Sequence, residues 1–224
     1  MITDITKITK NFFLKLRSII IPRFLTRLYL ESFPRHNGEG IKGEVRREIR
    51  GFQEDKMKKI TAEIFVLKDG EGKLINDIDT DMIFHNKYLS IVDISLMGQY
   101  ALDNLEGYKD FSKKVKPGMI VVAGENFGAG SSRQQAVDCF ISLNLQGVAA
   151  KSFGAIYKRN IINTGFPMIE ILDIADDALE TGKTLDFDIE SGEIIDCGKV
   201  AGHFKKFSTV QKDIIEKKGL LNCI

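Results

Sequence analysis

Short apolar runs separated by stretches of helical period constrain this chain more than any other feature. Residues 119–123, 147–151 and 166–171 are such runs, each bounded by turn signals, and they read as buried strands. Between the first two, residues 131–143 place Ala136, Val137, Phe140 and Leu143 on one face of a helix. Residues 156–162 read as a short helix before the third run. Upstream, 61–67 is a β-type run ending at Asp69-Gly70, and 94–105 carry apolar residues at helical spacing. Downstream, 185–189 and 193–197 read as a hairpin around Ser191-Gly192, and 206–218 as a closing helix. Strands alternating with helices and followed by a hairpin predict an α/β domain of about 165 residues.

At 224 residues, 43% of them hydrophobic, the chain has apolar material for one good core. A net charge of +1 without a basic stripe argues against nucleic-acid binding. No apolar run reaches the ~18 residues expected of a membrane span. Cys139, Cys197 and Cys223 are far apart, with no CxxC, so neither a zinc nor a cluster site is expected from this chain, and a reducing cytoplasm is its natural compartment. Charge separates the chain into 1–56 and 57–224: the first 50 residues hold 11 Lys/Arg against 5 Asp/Glu. Three readings of this basic extension stay open: a start placed upstream of a true start at Met57, a docking or surface-associating segment, and an organellar transit peptide.

The segment that carries chemistry is Gly124-Glu-Asn-Phe-Gly-Ala-Gly-Ser-Ser-Arg133, which leaves a buried strand and enters a helix. Gly128 and Gly130 allow close approach of a ligand to the backbone. Ser131 or Ser132 is expected at the helix N-cap and first turn, where free N–H groups favour an anion. Arg133 offers a planar fork suited to a carboxylate. A P-loop lysine is missing and the GxGxxG spacing fails, which disfavours a nucleotide. On spacing alone a serine cap beside a surface arginine stands level with a catalytic reading.

That segment, together with Ala150-Lys-Ser-Phe153, Arg159-Asn160-Ile-Ile-Asn163-Thr-Gly165, Asp77-Ile-Asp-Thr-Asp-Met-Ile83 and Lys87-Tyr-Leu89, resembles the small subunits of 3-isopropylmalate dehydratase and homoaconitase, over residues 60–175. The same domain is the mobile C-terminal domain of aconitases. The resemblance implies a swivelling β/β/α domain, and a hydro-lyase acting on a 2-hydroxy dicarboxylic acid only with a large subunit, as a heterodimer or heterotetramer. A [4Fe–4S] cluster is expected in that partner and no cofactor in this chain. By matching position, Ser131 is the catalytic base, Ser132 and Arg133 bind substrate, and Asp79, Thr80 and Asp81 stand near them.

Three departures from the family pattern are plain: Gln134-Gln135 replaces Glu-His, Ala129 replaces Cys, and Phe153-Gly-Ala-Ile-Tyr-Lys-Arg-Asn160 replaces Phe-Ala-Arg-Ile-Phe-Tyr-Arg-Asn. In this family the loop after Tyr-Leu selects the substrate. Here Ser90 and Ile91 follow, with no arginine, which suits an alkyl group better than an extra carboxylate. Lys87 is the one cation close enough to rescue a carboxylate. Isopropylmalate isomerisation in leucine biosynthesis is the expectation. Homoaconitate, 2,3-dimethylmalate, 2-methylmalate and citrate remain alternatives, as does a non-catalytic binding module.

Overall fold

The computed structural model describes residues 58–223. The readings of residues 1–56 lie outside them.

Along the chain run β1 (Lys59–Val66), α1 (Thr80–Ile83), α2 (Phe111–Lys114), β2 (Ile120–Ala123), α3 (Gln135–Ser142), β3 (Gly147–Ala150), α4 (Ala155–Thr164), β4 (Met168–Ile174), β5 (Thr184–Asp188), β6 (Glu193–Asp196), β7 (Lys199–Phe204) and α5 (Thr209–Glu216). The seven strands close into a barrel in the order β1-β2-β3-β4-β7-β6-β5. Strands β1 to β4 are mutually parallel, and the remaining pairings are antiparallel. Parallel neighbours need crossover connections, and α1 to α4 lie in those crossovers. Closure leaves no strand edge open.

Two cores explain the apolar runs. Because side chains alternate across a strand, Ile120 and Val122 of β2 join Ile64, Ile169, Phe187 and Phe204 inside the barrel. Val121 and Ala123 point the other way and pack with Phe127, Phe140 and Tyr157 beneath the helices. A strand buried on both faces reads as an unbroken apolar run. The α/β expectation is thus borne out, with barrel closure as the added detail.

Two local expectations fail. Residues 94–105 form no α-helix; they make two 3-10 turns, Ile94–Leu96 and Gly98–Tyr100. Gly98 packs against Leu143, where a side chain would collide. Leu102 takes a left-handed φ of +56° and donates its N–H to Ile83 O at 2.8 Å, outside any helix. Strand β7 has no counterpart among the apolar runs. Its turn is Cys197-Gly198, with φ of +48° and +79°, the left-handed pair that joins two strands most tightly. Among the described residues no helix is long and apolar enough to cross a membrane.

Candidate active site

The loops leaving the C-terminal ends of β1, β2 and β3 are laced side by side. On one flank Gly124 N donates to Ile75 O (2.9 Å), Gly128 N to Ile78 O (2.7 Å) and Thr80 N to Ala129 O (2.8 Å). On the other, Phe127 N donates to Ser152 O (3.0 Å) and Gly154 N to Phe127 O (2.9 Å). The glycine-bearing loop is therefore a strip held between two neighbours at the C-terminal ends of the parallel strands. Gly128 is required twice over: its φ is +76°, and a Cβ there would collide with the Tyr157 ring.

Ser131 does not begin a helix. Helix α3 starts at Gln135, with Gln134 as an N-cap that supplies no side-chain bond. The expectation of Ser131 or Ser132 at the N-cap is corrected by two long-range bonds. Ser131 N donates to Thr80 Oγ1 at 3.2 Å, and the Ser132 carbonyl accepts from Asn160 Nδ2 at 3.0 Å. The second takes up the Ser132 carbonyl that a helix would use, and the first fixes the Ser131 amide that a helix start would leave free. Ser131 is exposed, and its Oγ lies 3.0 Å from Thr80 Oγ1. Thr80 is 2% exposed. Its oxygen accepts the Ser131 amide, and within the hydroxyl pair either oxygen can donate. The group beside Ser131 Oγ is thus a buried threonine hydroxyl rather than a helix terminus.

Arg133 faces inward. Its Nη1 donates to Phe84 O (2.7 Å), Asp81 Oδ1 (2.9 Å) and Thr80 O (3.2 Å), and its side chain is 13% exposed. It clamps α1 against the loop. Asp79 caps α1, its carboxylate accepting from the Asp81 and Met82 amides. Burial pushes the Asp81 carboxyl up, but hydrogen bonds from Arg133 and the Asn86 amide outweigh it, and the net shift is downward. A carboxyl held below its unfolded value stabilises the fold above the unfolded pKa and loses that contribution as pH falls through the folded pKa. Melting temperature is therefore expected to decline on acidification below about pH 4, and less steeply in Asp81→Asn; equal slopes would remove Asp81 from the acid response.

The structure thus brings together Thr80, Asp81, Ser131 and Arg133, with Asp79 as the cap beneath them. Ser132 is exposed beside Ser131. Ser90 sits exposed on a turn, and Ile91 packs partly against the outer core. No hydrogen bond joins Ser90 or Ile91 to Ser131 or Arg133 among the described residues. The Lys87 ammonium lies 4.5 Å over the Tyr88 ring and 3.8 Å from Asp103. Asn160, which fixes Ser132, and Asn104, whose Nδ2 reaches Asp81, have no role in the sequence reading. Asn160 stood inside a recognised motif, so a signal for it existed. Cys139 is fully buried in the core and its thiol is pushed up by that burial.

Residues 50–173 match the Aconitase C-terminal domain family. The chain is 38% identical over 150 residues to "3-isopropylmalate dehydratase small subunit 1" of Archaeoglobus fulgidus, covering 66% of this chain and 91% of the relative. It is 36% identical over 158 residues to the "Isopropylmalate/citramalate isomerase small subunit" of Methanocaldococcus jannaschii, covering 70% and 92%. A crystal structure of 3-isopropylmalate dehydratase from the latter organism superposes with a TM-score of 0.62 at 30% identity, covering 73% of this chain and 92% of that one.

Proposed function

The chain belongs to the aconitase C-terminal domain family, and from that premise we propose that it is the small subunit of a hydro-lyase that isomerises 2- and 3-isopropylmalate in leucine biosynthesis, active when joined to a large subunit. The observation that carries this reading is the contact of an exposed Ser131 with a buried Thr80, clamped from below by Arg133 and Asp81.

In this reading Ser131 Oγ takes the proton from the carbon next to the hydroxyl-bearing carbon as water departs. It then returns that proton when water adds back at the neighbouring carbon. A serine hydroxyl is a weak base, so its alkoxide needs a donor. Thr80 supplies one at 3.0 Å, already desolvated and fixed by the Ser131 amide. Among the described residues there is no grouping of side chains that could hold a metal: Cys139 is buried, Cys197 is exposed in a hairpin turn and Cys223 lies on the last 3-10 turn. In this reading a [4Fe–4S] cluster belongs to the large subunit, where its iron would act as a Lewis acid toward the departing hydroxyl. The N–H groups of Arg133 other than those on Nη1 are left for a substrate carboxylate.

The alkyl end follows from what Ser90 and Ile91 lack. Lys87 is turned to Tyr88 and Asp103, so a third carboxylate near Ile91 would meet an apolar side chain with its nearest cation already engaged. An isopropyl group meets no such penalty.

The test is anaerobic co-expression of the full chain with its large subunit, followed by assay with isopropylmalate, citramalate, homocitrate and citrate. Turnover led by isopropylmalate is expected, and preference for a tricarboxylate would overturn the substrate reading. Within that complex, Thr80→Val keeps the shape but removes the hydroxyl from both Ser131 Oγ and the Ser131 amide. It is expected to lower kcat about a hundredfold, the lower end of the range for loss of one oxyanion donor, with little change in KM. An unchanged kcat would detach Thr80 from the chemistry.

A further inference from the structure

No hydrogen bond ties the turn at Ser90-Ile91 to Ser131 or Arg133, so some other element must set its distance from them. The corner at residues 102–104 does this from two sides. Leu102, fully buried at a φ of +56°, pins the corner to the end of α1 through its bond to Ile83 O. Asn104 Nδ2 then donates to both the backbone and the carboxylate of Asp81, at 3.3 Å each. Between them Asp103 Oδ2 accepts the Tyr88 hydroxyl and lies 3.8 Å from the Lys87 ammonium. The Tyr88 ring stacks on Tyr100, with centroids 3.9 Å apart and planes 24° apart. The hydrogen bond to Asp103 pushes the Tyr88 phenol above its ordinary pKa, as expected of a proton held between the two. Adjacent side chains of one corner thus grip the partner of Arg133 and the root of the Ser90-Ile91 turn. Asp103 does so at a cost, because its Oδ1 is buried with no partner among the described residues.

We propose that Asp103 is a positioning residue for substrate choice: through Tyr88 it fixes the Ser90-Ile91 turn at a set distance from Arg133, and so decides how large an alkyl group fits beside the substrate carboxylates. This rests on the reading above, in which that turn faces the alkyl group. A turn released from Tyr88 no longer closes on an isopropyl group, while a methyl group never reached it. The corner therefore affects discrimination more than turnover.

The experiment uses the reconstituted complex with isopropylmalate and with citramalate, which carries methyl in place of isopropyl. Tyr88→Phe and Asp103→Ala cut the same hydrogen bond from opposite ends, and Asp103→Asn keeps an acceptor oxygen. In the first two, the ratio of kcat/KM for isopropylmalate over citramalate is expected to fall about tenfold, the scale of one lost alkyl contact. The fall should arise in KM for isopropylmalate. Asp103→Asn should restore the ratio. Melting curves identify any variant that does not fold, and if Tyr88→Phe fails, Asp103→Ala reads the same bond. An unchanged ratio, or a parallel loss for both acids, would reject the positioning role while leaving the isomerase reading intact. A wild-type complex that turns over neither acid would reject both.

Discussion

Replacing Ser131 with alanine is expected to lower kcat for isopropylmalate by about 10³–10⁴-fold, the upper range for loss of a general base. KM should stay near the wild-type value, because Arg133 and the Ser90-Ile91 turn are untouched. Melting should fall only slightly: the Ser131 amide still donates to Thr80 Oγ1, while the buried Thr80 hydroxyl loses its partner at Ser131 Oγ, at a cost of about 1 kcal/mol. A second readout is exchange of the substrate carbon-bound proton with deuterated solvent, which should vanish with turnover if Ser131 carries that proton. Persistent exchange with lost net dehydration would move the base elsewhere and leave Ser131 as a contact to substrate. Wild-type activity in Ser131→Ala would end the catalytic assignment.

The barrel was legible where strands are buried on both faces. Residues 120–123 read as a strand because Ile120 and Val122 fill the barrel while Val121 and Ala123 meet the helices. Strand β7 gives no such signal: Val200 and His203 face outward, and Gly202 sits where the Asp173 backbone leaves no room for a side chain. The false helix at 94–105 has a related cause. Met97, Ala101, Leu102 and Leu105 are all buried, at helical spacing, yet their burial is achieved by successive turns around Leu102. Periodicity reports which residues are inside, not which bonds place them there.

At the site, the identities of Ser131, Arg133, Thr80 and Asp81 were legible from motifs, but their arrangement was not. The bonds that move Ser131 off the helix start come from Thr80 and Asn160, partners 51 and 28 residues away. Local spacing carries no information about them. Asp103 and Asn104 were hidden for the same reason, inside a stretch whose pattern suggested a plain amphipathic helix.

Arg133→Lys separates the two duties that the proposed reading gives the arginine. One corner of the guanidinium, Nη1, is fixed to Thr80 O, Asp81 Oδ1 and Phe84 O, while in the proposed reading its other N–H groups meet substrate. A lysine keeps the charge but has no rigid fork, so an ammonium that satisfies Asp81 cannot also present a planar edge to a carboxylate. Loss of a charge-assisted contact to substrate costs about 1.5–3 kcal/mol. Loosening α1 also shifts Thr80, and misplacement of about 1 Å at a reacting group can cost about 10²-fold. Together these give an expected fall in kcat/KM of about 10³-fold. This change should lower the melting temperature more than Ser131→Ala does, because the backbone carbonyls of Thr80 and Phe84 lose a donor. If activity falls while melting is unchanged, Arg133 acts on substrate alone and the clamp on α1 is dispensable. If melting falls while kcat/KM is preserved, the arginine is a strut and the substrate carboxylate is held elsewhere. Only a loss of both fits a side chain that braces Thr80 from one edge and meets substrate from the other.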